Sequence, residues 1–168
     1  MNQFDFGLKG YRPRWLTDVP AITAAHGERL ASLAGRTLTN SWLVWETLAD
    51  QWLSGCPVVL DFEGEQVEIN HWKADELSIT WNTIDTTQPV MWCLDKERPN
   101  SWRDDVSEGL AALRGQTVRT VMVLERNESE VAIGLVFTDG QLTIRNAGDE
   151  NGLDFGVLDS HYRRHRLA

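Results

Sequence analysis

Few side chains in this sequence are suited to catalysis, and their spacing limits what each could support. Asp61, Glu63, Glu65 and Glu68 crowd one stretch. Paired carboxylates can hydrolyse glycosides when an acid and a second carboxylate face each other. Here, however, Asp61, Glu63 and Glu65 alternate with Leu60, Phe62 and Gly64, the pattern of a hairpin with one wet side. They read as a solvated acidic face. His71 sits beside Trp72 and Lys73, with Glu68, Asp75 and Glu76 close in sequence, and is the first candidate for a general base. His161 and His165 lie four apart but lack the glutamate and spacing of a metalloprotease helix, so they read as a solvated tail. Asp149-Glu150-Asn151-Gly152-Leu153-Asp154 supplies oxygen ligands without the span or the closing glutamate of an EF-hand loop. It reads as a turn in which Asn-Gly takes positive φ. Nucleophile elbows, Walker loops and dinucleotide fingerprints are absent, and no cofactor is expected.

Composition narrows the partners. The net charge is −9 and the pI about 4.8. Such a field repels nucleic acid and anionic membrane surfaces and attracts basic proteins. Aromatics are present, including eight Trp, but they are not interleaved with cations as a nucleic-acid surface requires. The exception is a short basic tail, His161 to Arg166. Cys56 and Cys93 form no C-x-x-C motif and are too few for a disulfide scaffold. The first residues carry neither a basic n-region nor an apolar core, and no apolar run approaches the roughly 20 residues that cross a bilayer. The expected location is the cytoplasm.

The segments that carry these residues show self-similarity. Leu30, Leu33, Gly35, Thr37 and Leu38 match Leu110, Leu113, Gly115, Thr117 and Val118 at an offset of 80. Leu60, Phe62, Gln66, Val67 and Ile69 match Leu135, Phe137, Gln141, Leu142 and Ile144 at an offset of 75. That period is too long for a solenoid and implies an internal duplication. The expected fold is therefore α+β: a single domain over 1–168 built from two similar halves, each a helix followed by an antiparallel three- to four-stranded β-meander. The first half covers about 19–81 and the second about 103–157. A connecting insertion fills about 82–102, and the basic tail is 158–168. The spacing predicts helices over 19–34 and 103–113, each closed by a glycine, Gly35 or Gly115. Strands are predicted over 36–46, 57–62, 66–69, 76–81, 117–125, 130–138 and 141–146. Residues 47–54 fit a helix and a loop equally.

A small acidic chain, rich in Trp and without a catalytic constellation, fits a binding protein that occludes a protein partner. Bacterial immunity proteins, which neutralise toxins that are often basic nucleases, have this general profile; the likeness is one of type, without a shared motif. On this reading the contacts come from Asp61, Glu63, Glu65 and Glu68, or from Asp149, Glu150 and Asp154, with Trp92 or Trp102 as the anchor. The alternative is a small-molecule-binding or hydrolytic domain with a pocket between the two halves, using His71 with Asp75 or Glu76.

Overall fold

Runs such as Val118-Arg-Thr-Val-Met-Val-Leu124 and Val131-Ala-Ile-Gly-Leu-Val-Phe137 are rich in β-branched residues and favour extended backbone. The computed structural model describes residues 6–73, 75–91, 99–127 and 129–168. Within them lie twelve strands and two helices. In order they are β1 (Trp15–Leu16), α1 (Val19–Ala31), β2 (Leu38–Glu46), β3 (Gln51–Trp52), β4 (Val58–Phe62), β5 (Glu65–His71), β6 (Leu77–Trp81), β7 (Ser101–Arg103), α2 (Glu108–Leu113), β8 (Val118–Arg126), β9 (Glu130–Phe137), β10 (Gly140–Asn146), β11 (Asn151–Phe155) and β12 (Arg163–Arg166). Asp18 caps α1 by accepting from Ala21 N–H at 2.8 Å, and Pro20 occupies the first turn, where its missing N–H costs nothing.

The strands form two antiparallel sheets. The first has seven strands in the order β1-β6-β5-β4-β2-β3, with β7 pairing the far end of β2. The second has five in the order β11-β10-β9-β8-β12. This overturns the α+β reading of two helix-plus-meander halves. The chain is mostly β, and the sheets are unequal. Helix α2 has only six residues, because Asp104 and Asp105 stay outside it and Ser107, not Arg103, provides the cap, accepting from Leu110 N–H at 3.1 Å. The first sheet recruits β1, β3 and β7, and the second recruits the tail strand β12, all lying outside the matched segments. Residues 47–54, ambiguous in sequence, are a hairpin: Trp45 opposes Trp52 and Glu46 opposes Gln51. Asp50 turns it at φ +52°.

The two sheets share one core. Leu38, Leu60, Phe62, Val67, Ile69 and Ile79 from the first meet Val121, Val123, Ile133, Leu135, Leu142 and Ile144 from the second, all essentially buried. Helices α1 and α2 add Ile22, Leu30, Leu110 and Leu113 to the same core. A second cluster (Phe6, Leu8, Tyr11, Val59, Ile84 and Trp102 among it) covers the outer face of the first sheet. A third, with Met122, Leu124, Leu158 and Tyr162, covers part of the outer face of the second.

The sheets are tied at both ends. At one, residues 35–38 and 115–118 cross antiparallel: Gly35 N–H donates to Val118 C=O and Gly115 N–H to Leu38 C=O, both at 2.8 Å. The glycines sit at φ +88° each, a conformation that costs a side chain about 1 kcal/mol. At the other end β5, β9 and β11 meet around Asn151.

Candidate functional site

Asn151 organises the lower seam between the sheets, and its bonds fix its orientation. Its side-chain amide donates to Ser54 C=O (3.0 Å), Cys56 C=O (2.8 Å) and Asn70 Oδ1 (2.8 Å). Its Oδ1 therefore faces His71, accepting from the backbone N–H at 2.8 Å and lying 3.0 Å from Nδ1. The other ring nitrogen of His71 lies 3.2 Å from Val131 C=O. Both ring nitrogens thus face acceptors, which would suit an imidazolium, but the ring is 1% exposed. Burial outweighs the two contacts and pulls the His71 pKa down to about 4. A neutral, enclosed ring holds two sheets together; it has no access to a substrate.

Glu68 is also fully buried, on the opposite face of β5. Its carboxylate accepts from Thr80 Oγ1 (3.0 Å), Thr83 N–H (3.1 Å), the Thr83 hydroxyl and Gln66 Nε2 (3.3 Å). These neutral donors satisfy its oxygens and pin the segment after Trp81 onto the sheet. Beside them Tyr11, packed near Asn70 and Ser78, has its hydroxyl pKa pushed up by burial. Cys56 is likewise buried, which pushes its thiol up and leaves it unreactive.

The exposed chemistry lies at the Asn151 end. Asn146 donates from its amide to Trp72 C=O (3.2 Å) and Lys73 C=O (2.9 Å), so the 72–76 and 147–150 loops are neighbours. The backbone N–H of Asn151 donates to Ser54 C=O at 2.9 Å, which brings the β2–β3 hairpin and its return to the same end. Together these segments carry Glu46, Asp50, Asp75, Glu76, Asp149 and Glu150, against one cation, Lys73. Asp50, Asp75, Asp149 and Glu150 are exposed. The hairpin tip adds an apolar element: Leu48 is 54% exposed. Behind it the half-buried Trp45 donates from Nε1 to Asp50 Oδ1 at 2.8 Å, and the Arg103 guanidinium lies over its ring at 5.8 Å.

The residues singled out in the sequence are thereby dispersed. Asp149 and Glu150 belong to the acidic end. Asp154 is exposed on β11 and paired with Arg145 at 2.6 Å. Asp61, Glu63 and Glu65 lie at the opposite end. There Asp61 closes the β4–β5 turn by accepting from Gly64 N–H at 2.8 Å, and Glu63 accepts from Thr37 N–H at 3.3 Å. Glu65 is bound to Arg29 at 2.6 Å, and that hydrogen bond holds its carboxyl below the usual range. Two candidates are corrected. Glu68 cannot meet a partner, because it is enclosed by its own donors. Trp102 is 9% exposed and packs into the cluster over the first sheet. Trp92 lies outside the described residues.

A cavity of about 590 Å³ lies on the outer face of the first sheet, lined by Leu8, Lys9, Ile84, Asp85, Met91 and Trp102 among others. It is not the pocket expected between two halves, where the shared core lies. Sequence reasoning missed Trp45 and Leu48. The ambiguity of 47–54 was their signal, and the hairpin in which Trp45 opposes Trp52 resolves it. Among the described residues no helix is long and apolar enough to cross a membrane, and no group of three or more His, Cys, Asp or Glu could hold a metal ion. No protein-family model, curated protein or solved structure matches the chain.

Proposed function

We propose that the chain is a binding protein that occludes a basic protein partner, most concretely a toxin that it neutralises. The observation that supports this reading best is the acidic end. Six carboxylates from three separate stretches of chain stand there around a hairpin that presents Leu48, with Lys73 in the same loops and Arg103 over Trp45 as cations among the described residues. A predominantly negative surface of this kind speeds the encounter with an oppositely charged protein. An apolar residue backed by an aromatic inside a charged rim supplies the short-range anchor. The contacts would come from Asp50, Asp149 and Glu150, with Leu48 and Trp45 at the centre. This relocates the anchor from Trp102 to the hairpin.

The reading is tested by affinity capture with the tagged protein in the cell that produces it, at low and at moderate salt. The expected result is one stoichiometric basic protein that leaves as salt rises. Absence of a partner at both salts would contradict it.

A further inference from the structure

We propose that the outer edge of β12 is a second docking site, which accepts an extended acidic peptide segment as an added strand of the second sheet. The site rests on observations separate from the acidic end. β12 is the last strand of its sheet and, among the described strands, pairs only with β8, from Arg163 opposite Glu125 to Arg166 opposite Met122. Leu167 N–H donates to Val121 C=O at 2.9 Å. In an antiparallel ladder, pairs that exchange hydrogen bonds alternate with pairs that do not. Residues 163, 165 and 167 therefore turn their main chain toward β8. Arg164 and Arg166 turn N–H and C=O outward, as an edge that a further strand can use.

The side chains divide the same way. Arg163 and His165 share Glu125, at 3.8 and 3.4 Å. Arg164 and Arg166 project to the other face, over a hollow of about 410 Å³ floored by Met122 and Val136 and walled by Thr120 and Gln141. Arg166 donates to Thr120 Oγ1 at 3.2 Å. Among the described residues, neither arginine has a carboxylate within 4.0 Å. In a chain of net charge −9, two exposed arginines with no described carboxylate beside them form a local basic strip that an acidic segment complements.

Their spacing selects its form. Alternate residues of a strand stand roughly 7 Å apart on one face, so glutamates at alternate positions of an incoming antiparallel strand would each oppose one guanidinium. Main-chain bonds then supply affinity, and the charges supply selectivity. The same arginines repel a basic edge, which guards against indiscriminate pairing. A free anion such as phosphate could use the guanidinia but would leave the outward main-chain groups unused.

The test uses the full chain and a fluorescent heptapeptide with glutamate at alternate positions between valine and threonine. Saturable binding is expected at low ionic strength, with amide shifts at Arg164 and Arg166. Arg164→Gln with Arg166→Gln, exposed positions whose change leaves the core intact, should weaken binding by about tenfold or more. A peptide N-methylated at its glutamates, whose donors would face β12, should not bind. Equal binding by wild type and the double variant overturns the proposal. So does equal binding of methylated and plain peptide, or full displacement by inorganic phosphate at matched ionic strength; either would make this a simple anion site. Self-association of the protein alone that the double variant abolishes would make a second copy the occupant and also overturn it.

Discussion

Asn151 joins the sheets through single hydrogen bonds. It donates to three oxygens that belong to the β3–β4 connection and to β5, and it accepts from His71. Asn151→Ala strands several buried polar groups at once, so unfolding in denaturant should show a loss of roughly 2–4 kcal/mol. Asn151→Asp should cost at least as much, because it turns a carboxylate toward carbonyl oxygens. His71 makes stability depend on pH. Its folded pKa lies at about 4, below its ordinary value of 6.5, so between these values the unfolded chain binds the extra proton. The contribution is fully present above pH 6.5, falls as pH drops through that window, and is gone below pH 4. Burial is near complete, and the full effect is roughly 3 kcal/mol. Denaturant midpoints measured from pH 7 to pH 4 should fall accordingly. In a folded His71→Gln variant this part of the pH dependence should vanish; persistence of the whole slope would contradict the assignment.

Among the elements, the crossing of 35–38 with 115–118 is the joint that sets the sheets against one another. Both glycines have left-handed backbone, and no atom lies within 4 Å of the point where an alanine methyl would stand, so an alanine meets no clash there. Gly35→Ala and Gly115→Ala should therefore each destabilise by about 1 kcal/mol through backbone conformation alone. Asn at the same positions should cost less, and thermal unfolding of the four variants checks the order. These joints were legible in the sequence, since Gly35 and Gly115 end helical patterns just before β-branched runs. So were the long strands: the predicted spans fall within a few residues of β2, β4, β6, β8, β9 and β10. The short strands were not. β1, β3, β7 and β12 have two to four residues each, too few for a period, and β1, β7 and β12 exist because of partners about 40 or more positions away. Glu68 misled for a related reason. It follows the wet alternation of its hairpin in sequence, but the 82–84 segment folds over that face and encloses it.

Across the whole molecule, charge is distributed unevenly. Glu65 is paired with Arg29, and Asp61 and Glu63 accept backbone N–H groups of Gly64 and Thr37 at the opposite end. The carboxylates of the Asn151 end come from loops that contain a single lysine. It is this end, with Leu48 exposed on its hairpin, that we propose holds a basic partner. Asp50, Asp149 and Glu150 are exposed, and Asn at position 50 keeps an oxygen to accept from Trp45 Nε1, so neutralising them should leave the fold unchanged. The decisive comparison is side-by-side capture by the wild type and by an Asp50→Asn, Asp149→Asn, Glu150→Gln variant of matched thermal stability. It is made at about 50 mM and about 300 mM salt, where screening changes strongly. The expected outcome is a basic protein retained by the wild type at the lower salt, reduced by about tenfold or more on the variant, and released from both at the higher salt. A partner held equally by both proteins, or held regardless of salt, would show that the acidic end is not the binding surface.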